Sequence, residues 1–154
     1  MAAAAPRRLP GSVLFICNFN IIRSVMAEHL MRLRFGKLVW VDSCGVRKGG
    51  ERDPFVTAVL DEVGADASRH RPKMLAELED ESFDLIISLT PEAHHRALEF
   101  TRTLAVDVLY WPTMDPTLAQ GSREQRLEEY RAVRDTLNAL IAQSFIKPST
   151  QAAQ

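Results

Sequence analysis

Four short runs rich in Val, Ile and Leu, at residues 12–16, 38–41, 85–89 and 106–110, alternate along this chain with segments of helical character. Each run is mostly apolar on both faces, which is how strands buried on both sides of a parallel sheet read. Helices are expected over 24–35, 53–63, 91–100 and 123 to about 141, with a further short helix over 73–79. Several carry end signals. Thr90-Pro91 is an N-cap followed by proline at the first helical position, Ser122 precedes a charged first turn, and Gly36 and Gly64 are natural stops. Strand–helix alternation of this kind implies a parallel sheet wrapped by right-handed crossovers, and ligands of such sheets collect at the carboxyl ends of the strands. Three polar features fall at those expected ends: the 17–23 loop, Ser43 after the second run, and WPTMDP (111–116) after the last.

The chain's 154 residues suit one domain with a core of its own. We expect flexible tails over 1–11 and 147–154 around a domain spanning 12–146. The net charge of -1 offers no electrostatic reason to expect nucleic acid or an anionic membrane as partner. No apolar stretch approaches the length of a membrane span, and the leader has arginines but no apolar h-region of a secretory signal. Two cysteines make no disulfide framework, and four scattered histidines show no zinc-ligand spacing, so neither a metal nor another cofactor is expected. A reducing cytoplasm is the expected location.

The loop Cys17 to Ser24 carries the chemistry. A loop wrapped over a helix N-terminus points backbone N–H groups into one space, and the helix dipole adds partial positive charge. Arg23 adds a forked cation suited to bidentate phosphate contact. A cysteine at the rim of such a nest is set up as a thiolate nucleophile, and the ligand the nest suits is a tetrahedral oxyanion such as phosphate. A cysteine at a strand end is more often plain core packing, and Cys-x5-Arg is a short pattern. The surrounding sequence shifts that balance: a strand before, a helix after, Ser24 directly behind Arg23, and Asn20, which tolerates left-handed backbone, inside the loop.

VLFICNFNIIRSVMAEHLMR (13–32) resembles the phosphate-binding loop of the low-molecular-weight protein-tyrosine phosphatases, whose relatives include thioredoxin-coupled arsenate reductases. VDSCGV (41–46) resembles that family's Ser-x-Gly segment, and residues 53–73 resemble its Asp-Pro helix and Ser-x-His stretch. DLIISLTPEAHHRAL (84–98) resembles its third strand and following helix, and MDPT (114–117) its general-acid loop. The resemblance implies a three-layer α/β/α domain with a four-stranded parallel sheet, the phosphate-binding loop joining its first strand to its first helix. It further implies Cys17 as nucleophile, Arg23 as phosphate clamp and Asp115 as general acid. The loop residues Asn18, Phe19, Asn20, Ile21, Ile22 and Ser24 would lie at the substrate, with Ser24 donating to the thiolate and Asn20 bracing the loop. Ser43 and His70 would support them.

Several positions depart from the family pattern. Phe19 replaces the usual glycine, Ile22 stands where a protective second cysteine often lies, and Val25 replaces a frequent proline. Residues 46–52 are short and lack an aromatic, while Thr117 and Leu118 stand where tyrosines often follow. Phe19 is expected to project toward the pocket mouth as an apolar wall or to pack on the helix, with Trp111 as a further wall candidate. The leading expectation is a cysteine-dependent phosphomonoesterase acting on a phosphorylated protein or a small aryl phosphate, with inorganic phosphate as product inhibitor. Arsenate reduction resolved by an external thiol and a non-catalytic phosphate- or phosphoprotein-binding module are the alternatives.

Overall fold

The computed structural model describes residues 5–79 and 82–148. Its six strands are β1 (Arg7–Arg8), β2 (Ser12–Cys17), β3 (Trp40–Gly45), β4 (Leu85–Ser88), β5 (Asp107–Tyr110) and β6 (Phe145–Ile146). Its helices are α1 (Arg23–Phe35), α2 (Pro54–Asp61), α3 (Pro91–Leu98) and α4 (Arg123–Ser144). Strands β3, β2, β4 and β5 lie side by side in that order, all parallel, so the expected four-stranded α/β fold is present.

Alternation along β2 divides the core. Val13, Phe15 and Cys17 face a large cluster built with residues of α1, α2 and α4, whereas Leu14 and Ile16 face a smaller one closed by Ala93 and Ala97 of α3. Helix α1 lies deeper than an amphipathic surface helix would, with Ser24 through Met31 buried without a break. The caps read from sequence are in place: Thr90 accepts from Ala93 N, and Ser122 forms a reciprocal capping box with Gln125. Gly64 takes the left-handed backbone, φ 83°, just past α2.

Four expectations need correction. The second strand does not stop at Val41 but runs to Gly45, so Ser43 sits inside it, opposite Phe15, rather than beyond its end. Residues 73–79 hold only one 3-10 turn, Leu75–Glu77, without the length for a helix. The supposed N-terminal tail contains β1, which pairs in parallel with β6, while Leu9 N–H donates to the Ile146 carbonyl at 3.1 Å and Leu9 packs on the core. Its first four residues, and the C-terminal tail from 149 onward, lie outside the described residues. Trp111 does not stand at the mouth of a cleft. It is 9% exposed and packs between the rings of Phe15 and Phe145.

Candidate active site

The loop between β2 and α1 turns on Asn20. Its φ of 59° is the one positive value outside glycine among the described residues, and its side chain is buried. The backbone turn brings Asn20 N–H to 3.3 Å from Cys17 Sγ. The Asn20 carboxamide donates to Ser24 Oγ and to Ser43 Oγ, both at 2.8 Å. Its oxygen accepts Lys73 N–H at 3.1 Å, and an obligate backbone donor there fixes which end of the carboxamide is oxygen.

Hydroxyl accounting then orients the rest. Ser24 Oγ accepts from Asn20, so its own proton is free for Cys17 Sγ, 2.8 Å away. Ser43 Oγ likewise accepts from Asn20 and donates to Glu28 Oε1. A buried relay therefore runs from the Glu28 carboxylate through Ser43, Asn20 and Ser24 to the sulfur. His70 Nε2 lies 3.0 Å from the Asn20 carbonyl, to which it can only donate. Both supporting residues named from sequence are thus joined to the loop, and Glu28 and Lys73 join it as well.

Distant elements clamp the loop from outside. Val46 and Arg47 donate N–H groups to the carbonyls of Cys17 and Asn18, and Thr90 Oγ1 donates to Asn18 Oδ1 at 2.7 Å. Gly45 lies flat against the loop. A Cβ there would stand 2.7 Å from Phe19 C, 2.8 Å from Asn18 O and 2.9 Å from Asn20 N, so only glycine fits.

Above the loop opens a cleft of about 450 Å³ lined by Cys17, Arg23 and Asp115, with Asn18, Phe19, Ile21 and Ile22 from the loop. The side chains of Asn20 and Ser24 are buried beneath the loop and are not among the cleft's lining residues. Helix α1 begins with no acidic residue in its first turn and no side-chain cap on its amides, so none of its own residues offsets its positive end at the cleft. Arg23 uses one N–H to hold the Thr113 carbonyl at 3.0 Å; its other donors have no protein partner among the described residues. Asp115 Oδ1 accepts from Thr117 N and Oγ1, capping a 3-10 turn, while Oδ2 has no hydrogen bond among the described residues. Phe19 is 43% exposed at the rim. Glu51, Asp53 and Thr117 complete the lining, none of them named from sequence as a site residue, although Glu51 and Thr117 lie in segments that depart from the family pattern. Asp53 caps α2 and accepts from Tyr130 Oη at 2.6 Å.

Cys44 cannot assist from where it stands. It neighbours Ile16 in register and faces the opposite side of the sheet from Cys17. Burial chiefly, with smaller pushes from Cys17 and Asp42, raises its pKa far above the ordinary thiol value.

A parallel α/β sheet with an amide-lined loop over a helix N-terminus, holding a cysteine and an arginine six residues apart, defines a phosphate-cradling thiol protein. Residues 12–148 match the family model described as low molecular weight phosphotyrosine protein phosphatase, and the chain belongs to that family. It is 28% identical to the glutaredoxin arsenate reductase of Synechocystis, over 89% of this chain and 98% of that protein. The structure of a low-molecular-weight protein tyrosine phosphatase from T. tengcongensis aligns with a TM-score of 0.70 at 26% identity, covering 86% of this chain and 95% of that one. The arginine phosphatase YwlE, solved with a phosphorylated active-site serine, aligns with a TM-score of 0.68 at 28% identity, covering 86% and 91%.

Proposed function

We propose that the protein is a cysteine-dependent phosphomonoesterase of the protein-tyrosine phosphatase type. The observation that carries this reading is the convergence on one cleft of Cys17, Arg23 and a carboxylate, Asp115, with one oxygen free of partners among the described residues. In the first step Cys17 sulfur attacks phosphorus, the bond to the ester oxygen breaks, and Asp115 gives that oxygen its proton. The free donors of Arg23 and the amides at the start of α1 hold the equatorial oxygens as charge builds there. In the second step Asp115 takes a proton from water, water oxygen attacks phosphorus, and sulfur leaves with the Ser24 hydroxyl donating to it. Inorganic phosphate is released and competes for the same nest.

The curated relatives named as arsenate reductases support a second reading, in which the same sulfur attacks arsenate. Cys44 lies on the far face of the sheet and is held as a thiol, so resolving such an adduct requires an external thiol supplied to the reaction. A pure phosphate-binding module is less favoured, since binding alone needs neither nucleophile nor acid. The test compares wild type with Cys17→Ser and Asp115→Asn on para-nitrophenyl phosphate, phosphotyrosine peptide and phosphoarginine, with arsenate plus glutathione and glutaredoxin in parallel. Hydrolysis of the aryl esters lost in Cys17→Ser and cut about 10²–10⁴-fold in Asp115→Asn is expected. Arsenate turnover without ester hydrolysis would overturn the reading in favour of the second.

A further inference from the structure

Below the phosphate-binding loop, on the side away from the cleft, Glu28, His29 and His70 bring three ligand atoms within 4.8 Å of one another. The sequence shows no metal spacing because the two histidines lie 41 positions apart; the fold places their rings edge to face at 5.6 Å. We propose that these three residues bind a divalent transition-metal ion of the zinc class.

The hydrogen bonds around the cluster decide which nitrogens face inward. His29 Nδ1 lies 2.8 Å from the Val25 carbonyl, which can only accept, so Nδ1 carries the ring proton. Neutral His29 then presents Nε2 as a bare lone pair, 3.8 Å from Glu28 Oε2. His70 has the opposite tautomer. Nε2 donates to Asn20 O, and the lone pair on Nδ1 faces Glu28 Oε1 at 4.0 Å.

Two unprotonated imidazole nitrogens therefore lie 3.8 and 4.0 Å from the oxygens of one carboxylate. Acceptor facing acceptor is repulsive unless a cation lies between them. One metal ion would satisfy all three groups at once. Each histidine already donates its outer N–H to a backbone carbonyl, the arrangement that fixes the tautomer of metal-bound imidazole.

The dimensions suit this. Tetrahedral zinc with ligands at about 2.0–2.2 Å needs donor atoms roughly 3.4 Å apart, and small tilts of the side chains would bring the present separations to that spacing. The cluster forms part of a surface cleft also walled by Asp42, Asp66 and Lys73, which gives an ion a way in and room for a water ligand. Arg32 now pairs with Glu28 Oε2 at 2.8 Å, but its side chain is half exposed and free to swing out. Zinc-class selectivity follows from the donor set, since imidazole nitrogen is a poor ligand for calcium or magnesium. Because Glu28 also anchors Ser43, occupancy of this site reaches the loop through the Ser43–Asn20 link.

The test uses the tag-free full chain carrying Cys17→Ser, which removes the loop thiol as a competing ligand. Cobalt(II) is titrated and followed by visible absorption, and the imidazole nitrogens are followed by ¹⁵N NMR with zinc. Saturation at one equivalent is expected, with the intense d–d bands of a four-coordinate ion, no sulfur-to-cobalt charge transfer, and shifts at His29 Nε2 and His70 Nδ1. His29→Asn keeps a donor for the Val25 carbonyl, and His70→Gln keeps one for Asn20, while each removes the inward nitrogen. Each variant should bind cobalt at least tenfold more weakly with the metal-free melting temperature nearly unchanged, and either serves if the other does not fold. Binding that survives both substitutions overturns the proposal, as does a parent chain that takes up no cobalt saturably.

Discussion

Asn20 sets the geometry of the sulfur's surroundings through backbone and side chain together, and both uses trace to residue type. Asparagine accepts the left-handed φ that most side chains resist, and its carboxamide offers donors and an acceptor at one point. The sequence disclosed that much because Cys17, Asn20, Arg23 and Ser24 act within one short loop. It did not disclose Glu28, Lys73 or Thr90, which reach the loop only after the sheet has assembled, nor that aromatic Trp111, close in sequence to Asp115, turns inward between the rings of Phe15 and Phe145. Phe19 remains at the rim, and its contribution can be measured. Phe19→Ala should raise KM for aryl phosphates severalfold while inhibition by inorganic phosphate stays the same, since only the ring contact is removed. A parallel loss of melting temperature and of phosphate affinity would instead make the ring a packing element.

Among the elements, β3 misled most. Its apolar run ends at Val41, yet pairing continues through Asp42 and Ser43 to Gly45, because backbone register with β2 does not depend on apolar side chains. The extension carries Gly45 to the loop. Gly45→Ala should reduce kcat by one to two orders of magnitude and cost about 1–3 kcal/mol of stability, because the nearest atoms to the new Cβ are backbone. Chemical denaturation beside steady-state kinetics checks both. Helices α2 and α4 are tied differently, by Glu62 just past the end of α2 meeting Arg131 and Arg134. Hydrogen bonds from Arg131 first and Arg134 second hold the Glu62 carboxyl down at about 2, from an ordinary 4.5. A depressed carboxylate stabilises the folded chain above its unfolded pKa, and that contribution is lost as pH falls through the folded one. The difference in urea midpoint between wild type and Glu62→Gln should therefore be full at pH 7, shrink between about pH 4.5 and 2, and vanish below. A difference independent of pH would show that the carboxylate's charge plays no part.

For the molecule as a whole, strand–helix alternation was enough to give the layered α/β architecture, because buried parallel strands and their crossovers leave a strong periodic signature. The β1–β6 clasp left none. Two-residue strands have no period, and Arg7 and Arg8 look like solvated charges. Deleting residues 1–8 should lower stability by about 1–2 kcal/mol, the worth of a few backbone hydrogen bonds, with activity at 25 °C preserved; thermal melts of the two chain lengths decide it. The phosphate-binding loop lies near the start of the chain, whereas its clamps lie at residues 43, 45, 70, 73, 90 and 113. During synthesis the ribosome therefore releases Cys17 and its loop well before the residues that clamp that loop in place. A nascent chain halted short of residue 113 would carry an ordinary cysteine on an unformed loop, so phosphate protection of Cys17 from alkylation would report how far translation had progressed.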